Sequence, residues 1–227
     1  MSVQPPEDRA PPLHLLLWEG AALAARIYCG FGRLGERGSA DGQPLMVIPG
    51  FFASDRSTLA LQRAFAEEGY RVCGWGMGLN LGARADTIER VVERLERFAG
   101  GRPATLVGWS LGGIYAREAA KVRPDLVARV VTLGAPFSGD RHANNAWRLY
   151  ELVNSHTVDR PPIESDLSAK PPVPTIAFWS RRDGMVAPGC ARGTDCQSDR
   201  QIEIDCSHMG FATSLRAIRQ VVAALRD

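Results

Sequence analysis

The stretch Thr105-Leu106-Val107-Gly108-Trp109-Ser110-Leu111-Gly112-Gly113 decides the fold of this chain. An apolar run of β character leads into the pattern Gly-x-Ser-x-Gly, and an alanine-rich helical segment follows at once. A strand, a glycine-flanked serine and a helix, in that order, make a nucleophile elbow, whose sharp turn requires small residues two positions before and after the serine. The five-residue pattern is common by chance, so the interpretation depends on partner residues elsewhere in the chain.

The bulk composition describes an ordinary globular protein. The chain has 227 residues, of which 45% are hydrophobic and 23% are charged, and its formal net charge is +2. This length suits one sizeable domain, and the proportions of hydrophobic and charged residues argue against a disordered or membrane-spanning chain. The arginines are spread along predicted helices among Glu and Asp residues, so no nucleic-acid-binding patch is expected.

The N-terminal region divides into a lead and a helix. Residues 1–12 are polar and proline-rich and lack the features of a signal peptide, which predicts a cytoplasmic protein. Leu13–Tyr28 is apolar but is interrupted by Glu19 and two other polar residues, and it is too short to span a bilayer. We expect a helix packed on the domain, with weak contact to a membrane surface left open as the alternative.

Cysteine usage indicates reduced thiols. The five cysteines are an odd number, and without a signal peptide a reducing compartment is the default. A disulfide within the cluster of Cys190, Cys196 and Cys206 is left open. The spacing of this cluster and His208 lacks the paired short knuckles of a zinc ribbon, so we expect no metal. The formal Gly-x-Gly-x-x-Gly match at 30–35 continues as a glycine-rich loop and does not open a helix, so no organic cofactor is expected either.

The rest of the chain alternates predicted strands with predicted helices. The strands are Leu45–Ile48, Tyr70–Trp75, Ala104–Trp109, Val127–Leu133, Pro174–Ser180 and Gln201–Asp205. The helices are Ser54–Glu68, Asp86–Ala99, Leu111–Val122, Asn144–Val153 and Met209–Leu225. This order predicts right-handed βαβ units and a mostly parallel sheet of about six strands with helices on both faces. Residues 140–172 break the rhythm and are interpreted as a small cap or lid inserted into a core at 45–227, which follows an N-terminal part at 1–44.

Polar side chains suited to acyl chemistry follow three of the predicted strands. Ser110 follows the third strand, Asp183 the fifth and His208 the sixth. Ligands of an open parallel sheet lie at the carboxyl ends of its strands, so these side chains are expected to meet. A serine hydroxyl needs an imidazole to accept its proton, and the imidazole needs a carboxylate to fix its tautomer. Asp140 and Asp205 are the alternative acids.

Two backbone amides are candidates for the oxyanion hole. The amide of Leu111 follows the serine at the start of a helix, and the amide of Phe51 follows Pro49-Gly50 at the end of the first strand. Preorganised donors of this kind stabilise the tetrahedral oxyanion, and the loss of one costs about 3 kcal/mol.

These motifs resemble the α/β-hydrolases of the lipase and esterase type from Leu45 to the C-terminus. The matching stretches are Val47-Ile48-Pro49-Gly50-Phe51, Gly108-Trp109-Ser110-Leu111-Gly112-Gly113, Thr132-Leu133-Gly134-Ala135-Pro136-Phe137, Ser180-Arg181-Arg182-Asp183-Gly184-Met185-Val186 and Ser207-His208-Met209-Gly210. The order nucleophile, acid, histidine is the order of that superfamily. Pro49 stands where the family often has His, and no strands are evident before Leu45, which implies a reduced sheet.

The resemblance implies a serine hydrolase that cleaves carboxylic esters of small molecules or lipids through an acyl-enzyme. Phe52, Asn80, Trp109 and Trp147 are the candidates for the substrate pocket. An acyltransferase, thioesterase or amidase would use the same triad, and a non-catalytic ligand-binding protein of the same fold is the more distant alternative. The physiological substrate and the oligomeric state are not specified by these patterns.

Overall fold

Six strands form one sheet in the computed structural model, which describes residues 9–25, 40–163 and 165–226. They are β1 (Pro44–Ile48), β2 (Arg71–Gly74), β3 (Ala104–Trp109), β4 (Val127–Leu133), β5 (Thr175–Trp179) and β6 (Arg200–Glu203). Their order in the sheet is β2-β1-β3-β4-β5-β6, and every neighbouring pair is parallel. The prediction of a parallel sheet of about six strands is confirmed.

The three strands β1, β3 and β5 are buried along their whole length, which explains their nearly continuous apolar sequences. Side chains alternate between the two faces of the sheet. Leu45 and Val47 pack into a core shared with α8, whereas Met46 and Ile48 pack into a second core on the opposite face. Helices therefore cover both faces, and the carboxyl ends of all six parallel strands lie at the same end of the sheet.

Eight α-helices lie within the described residues. They are α1 (Leu13–Ala25), α2 (Leu59–Glu67), α3 (Thr87–Ala99), α4 (Leu111–Val122), α5 (Trp147–Val153), α6 (Pro188–Arg192), α7 (Gly210–Thr213) and α8 (Leu215–Ala223). Helices α2, α7 and α8 contribute to one core, and α3 and α4 to the other.

The predicted helices Met209–Leu225 and Asn144–Val153 differ from those in the structure. The expected helix Met209–Leu225 is two helices, because the backbone of Ser214 is extended (φ −80°, ψ 116°) and its hydroxyl caps α8. The expected helix Asn144–Val153 begins only at Trp147, since the Asn144 side chain is engaged in a turn with the carbonyl of Arg141 and the amide of Ala146. The helix predicted for Leu13–Tyr28 is seen as α1; its last three predicted residues lie outside the described residues.

Two further sequence-based questions concern membranes and disulfides. None of the described helices is long and apolar enough to cross a membrane. Among the cysteines that the structure describes, Cys73, Cys190, Cys196 and Cys206, none is in a disulfide. Cys29 lies outside the described residues.

The two edges of the sheet are short strands of four residues, each of which begins with an arginine. At one edge, the guanidinium of Arg71 donates to the carbonyls of Phe98 and Ala99, at 2.7 and 3.0 Å. At the other edge, Arg200 donates to the carbonyl of Ala224 at 3.2 Å. Each edge strand is thus tied to the C-terminal end of a neighbouring helix, where a cation is favoured.

Candidate active site

The turn between β3 and α4 holds Ser110 in a backbone conformation that is unfavourable for a residue with a side chain. Its φ is 54° and its ψ is −125°. A Cβ atom on Gly108 would lie 2.3 Å from the carbonyl oxygen of Gly112, and a Cβ on Gly112 would lie 2.3 Å from that of Ile48. The two glycines around the serine are therefore required by close backbone packing, as expected of the predicted elbow.

The predicted acid and base form a buried pair at the ends of β5 and β6. Asp183 Oδ2 lies 2.7 Å from His208 Nδ1, and the two residues are only 1% and 3% exposed. The second oxygen of Asp183 accepts hydrogen bonds from the amides of Met185 and Val186, both at 2.8 Å. The carboxylate is thereby fixed in one orientation, with Oδ2 directed at the imidazole.

Charges around His208 shift its pKa. Burial alone lowers the pKa of this imidazole, because a low-dielectric site disfavours the charged form. The carboxylates of Asp183 and Glu19 outweigh burial, and the net effect raises the pKa of His208 above its ordinary value. The imidazolium that would form when His208 accepts a proton is stabilised by the same carboxylates.

Ser110 and the Asp183–His208 pair are brought together by the end of β4. The amide of Ser110 donates to the carbonyl of Leu133 at 2.8 Å. A Cβ on the next residue, Gly134, would lie 2.9 Å from Asp183 Oδ2 and 3.1 Å from His208 Nδ1. No hydrogen bond joins the Ser110 hydroxyl to His208 within the described residues. Hydrogen bonds of this kind are often long without substrate and shorten when it binds.

The two amides proposed for the oxyanion hole flank Ser110. A Cβ on Gly50 would lie 2.9 Å from Ser110 Cβ, which places the Gly50–Phe51 peptide beside the serine. Leu111 is the first residue of α4, so its amide has no acceptor within the helix. In the part of the chain that the structure describes, neither amide donates to a protein acceptor. Phe51, Ser110 and Leu111 all line one cavity.

This cavity has a volume of about 130 Å³ and a mostly apolar wall. Its floor includes Ser110 and Leu111, and its other sides come largely from residues 140–172. The apolar side chains contributed by that segment include Trp147, Tyr150, Val158, Pro161, Ile163 and Leu167. The geometry suits the apolar part of a small substrate with its reactive group next to Ser110.

Of the four residues predicted to form the pocket, only Trp147 lines this cavity in the described structure. Phe52 is 45% exposed, and its ring packs against that of Phe51. Trp109 is buried, and its indole nitrogen donates to the carbonyl of His208 at 3.1 Å. Trp109 therefore ties the elbow strand to the histidine loop and does not border the cavity.

Asn80 is fully buried beneath the Pro49-Gly50-Phe51 loop. Its side-chain amide donates to the carbonyl of Pro49 at 2.9 Å, and its backbone carbonyl accepts from the amide of Phe52 at 2.8 Å. Asn80 thus fixes the loop that carries one of the two candidate oxyanion donors, and its side chain is outside the cavity wall. Asn80 therefore supports the candidate site without lining the cavity.

The alternative acids lie elsewhere. Asp140 accepts from the amide of His142 at 2.8 Å within residues 140–172, and Asp205 is paired with Arg182 at 3.2 Å on the surface. Within the described residues, no group of three or more His, Cys, Asp or Glu side chains could hold a metal ion.

One buried carboxylate at this site was not predicted from the sequence. Glu19 of α1 is only 5% exposed and contacts the loops that carry Asp183 and His208. A single acidic residue in an apolar helix carries no local pattern that points to a partner distant in sequence. The one available signal was that Glu19 is the single acidic residue of the predicted helix Leu13–Tyr28.

Comparisons with known proteins agree with this fold. A family model described as "Alpha/beta hydrolase family" matches residues 45–226. Among curated proteins, a bifunctional biotin biosynthesis protein, BioHC, of Teredinibacter turnerae is 40% identical over 58 residues, which are 26% of this chain and 10% of that protein. The chain thus matches only a small part of that relative's length.

Solved structures of similar fold include three enzymes of low sequence identity. The metagenome-derived lipolytic enzymes LipS and LipT are represented by a structure with a TM-score of 0.60 and 18% identity, covering 84% of this chain and 95% of that one. Carboxylesterase CesB of Bacillus subtilis has a TM-score of 0.59 and 14% identity, covering 83% of this chain and 85% of that one. The RedJ thioesterase of Streptomyces coelicolor has a TM-score of 0.56 and 15% identity, covering 86% of this chain and 94% of that one. At these identities the likeness concerns the fold.

Proposed function

We propose, on the premise that this chain belongs to the alpha/beta hydrolase family, that it is a serine hydrolase that cleaves carboxylic esters through an acyl-enzyme. The observation that carries the proposal is the buried Asp183–His208 pair, with a 2.7 Å contact, which follows β5 and β6 at the same end of the parallel sheet as Ser110 after β3. Burying a carboxylate and an imidazole costs free energy. The pair supplies the base that a nearby serine needs to become a nucleophile.

In the proposed reaction, His208 removes the proton of Ser110 as the serine oxygen attacks the ester carbonyl. Asp183 holds the proton on Nδ1, so that Nε2 is free to act as the base, and it stabilises the imidazolium. The amides of Phe51 and Leu111 donate to the tetrahedral oxyanion. The imidazolium then protonates the leaving alkoxide, and a water molecule activated by His208 hydrolyses the acyl-enzyme.

The apolar cavity supports an ester with an apolar acyl or alcohol group as the substrate. The wall next to Ser110 is dominated by aliphatic and aromatic side chains. Arg141, the charged residue of that wall, has its guanidinium engaged with the carbonyl of Val158 at 2.8 Å. A positively charged substrate group would meet no opposite charge there, because the described lining residues include no carboxylate, and burying a charge without a partner is costly.

A fluorophosphonate probe and a substrate panel test the proposal together. We expect the probe to form one adduct per chain, mapped by mass spectrometry to the peptide that contains Ser110, and an apolar ester to slow its formation. The panel compares p-nitrophenyl esters of two to twelve carbons with a matched thioester and anilide, with and without an alcohol acceptor. A protein that is not labelled and that turns over no panel member would contradict the proposal. Preferred thioester cleavage or acyl transfer would replace the ester assignment while keeping the serine chemistry.

Truncation of Trp147 is expected to change the preference for substrate size. Its indole lines the cavity, so Trp147→Ala removes apolar contact with long acyl groups and leaves short ones unaffected. We expect kcat/KM for p-nitrophenyl octanoate to fall about tenfold, equivalent to roughly 1.4 kcal/mol, while that for the acetate stays within about twofold. Leu152→Ala on the same helix is the control, because Leu152 is 83% exposed. An equal loss for both esters would show that Trp147 acts on folding and not on substrate contact.

A further inference from the structure

Glu19 lies on α1, outside the residues that match the family model, and yet its side chain is buried at the active site. One carboxylate oxygen accepts hydrogen bonds from the amides of Gly184 and His208, at 3.0 and 2.6 Å. The other accepts from the amide of Met209 at 2.9 Å. A single carboxylate therefore takes three backbone N–H groups, and hydrogen bonds to an ionised acceptor are the strong ones.

These amides belong to two different loops. Gly184 directly follows Asp183 after β5, whereas His208 and Met209 belong to the loop after β6. Glu19 thus connects the backbone of the acid loop to the backbone of the base loop, beside the contact that joins Asp183 to His208. Because both loops are irregular, the separation of the two side chains depends on such cross-links.

The docking of α1 is built into the acid loop. A Cβ on Gly184 would lie 2.5 Å from the backbone carbonyl of Leu15, so only glycine lets the helix approach this closely. The side-chain amide of Asn145, at the start of the inserted segment, donates both to the carbonyl of Gly184 and to that of Pro11, at 2.7 and 3.0 Å. Two contacts besides Glu19 therefore hold the N-terminal segment against this loop.

We propose that Glu19 is a positioning residue of the active site, which holds the Asp183 loop and the His208 loop in register and sets the electrostatic environment of the imidazole. The proposal rests on the serine hydrolase function described above. It extends the site beyond the segment shared with the family, into the N-terminal helix.

The electrostatic part follows from the groups that face His208. These are the carboxylates of Asp183 and Glu19 and the indole of Trp109, whose ring centroid lies 5.7 Å from that of the imidazole. The Cys206 thiol, two residues away, stays neutral because burial raises its pKa. Asp205 is on the surface and paired with Arg182. Glu19 is therefore the one carboxylate besides Asp183 that stabilises the imidazolium among the described residues.

Glu19→Gln separates the contribution of the negative charge from that of the hydrogen bonds to the two loops. The amide oxygen of glutamine is able to keep the two bonds made by Oε1, while its NH₂ group would face the Met209 amide, donor against donor. The loss of the negative charge lowers the pKa of His208, so its protonation begins at a lower pH and the imidazole is a weaker base. We expect kcat to fall about tenfold with KM within about twofold, and the acidic limb of kcat/KM to move to lower pH. Glu19→Ala, which loses all three bonds, is expected to be slower than Glu19→Gln.

The experiment compares wild type, Glu19→Gln, Glu19→Ala and the control Glu89→Gln, which changes an exposed glutamate on α3. Steady-state kinetics with the best ester of the panel are measured across pH, and the pKa of His208 is measured separately by NMR titration of its imidazole Cε1–H. The NMR readout needs no turnover. If the wild type cleaves no ester, the proposed function fails while the role of Glu19 is still tested.

The expected result is a lower His208 pKa and a lower kcat in Glu19→Gln, with both unchanged in Glu89→Gln. A purely structural role would lower the melting temperature without moving the His208 pKa. An unchanged pKa and kcat in Glu19→Gln would overturn the proposal. If Glu19→Ala fails to fold, the result for Glu19→Gln decides.

Discussion

Replacement of Ser110 by alanine is expected to lower kcat for ester hydrolysis by about 10⁵- to 10⁶-fold. The variant keeps the cavity, the Asp183–His208 pair and the candidate oxyanion donors, but it lacks the oxygen that forms the acyl-enzyme. The measurement is steady-state hydrolysis of the best ester of the panel, with the variant purified separately to avoid traces of wild-type enzyme. Retention of more than about one part in a hundred of the activity would exclude Ser110 as the nucleophile.

A second variant at the same position tests the backbone strain. The φ of 54° at Ser110 is costly for any residue with a Cβ, by roughly 1–3 kcal/mol, and is readily accepted by glycine. Ser110→Gly should therefore be as inactive as Ser110→Ala but more stable by about 1 kcal/mol after the entropy cost of glycine, which corresponds to a melting temperature about 2–4 °C higher. Equal melting temperatures would mean that the serine is not strained. A higher melting temperature for Ser110→Gly would show that a side chain at this position lowers the stability of the fold, a trade-off common at active sites.

The second large effect is expected for Asp183→Asn, with a fall in kcat of about 10⁴-fold. Asp183 Oδ1 accepts two backbone N–H groups, so the asparagine oxygen takes that position and directs the NH₂ group at His208. The imidazole is then held with its proton on Nε2, the nitrogen that has to accept one from Ser110. The loss of charge also lowers the pKa of His208 and moves the acidic limb of any residual activity to lower pH.

The alternative acids provide matched controls for this prediction. Asp140 and Asp205 are engaged away from the imidazole, so Asp140→Asn and Asp205→Asn should retain wild-type kcat within about twofold. If either control lost as much activity as Asp183→Asn, the acid would have to be reassigned. The two substitutions remove the same charge as Asp183→Asn, which excludes a general effect of net charge.

The central strands of the sheet were predictable because they are largely buried on both faces. The bounds of Ala104–Trp109 and Val127–Leu133 agree with β3 and β4 to the residue, since glycine or proline punctuates both segments. The break at Ser214 was not predicted, because the apolar spacing of α8 continues smoothly past it and only the hydroxyl cap marks the new start. Propensity arguments are weakest at such boundaries.

The candidate site was predictable as far as strand order determines it. Ser110, Asp183 and His208 each follow a strand of one parallel sheet, so their proximity is a consequence of topology. The pocket residues were less predictable, because which side of a loop residue faces a cavity depends on packing. Asn80 illustrates this, as its amide bonds to a loop carbonyl instead of bordering the cavity. Glu19 was not predicted for a related reason. Its partners are backbone amides far away in sequence, and almost every residue type has such an amide, so the sequence does not indicate which of them bind a carboxylate.

The short strands at both edges of the sheet have a consequence for self-association. An exposed edge offers unpaired N–H and C=O groups to another chain, and long, flat, uncharged edges are the usual starting points of aggregation. Here β2 and β6 have only four residues each. Arg71 and Arg200 place a charge at the start of each edge strand and bind it to a neighbouring helix. A neighbouring chain that added a strand would gain few hydrogen bonds and would have to desolvate a guanidinium. The fully buried apolar strands β1, β3 and β5 are therefore separated from neighbouring chains by two edge strands that are poor templates for added strands.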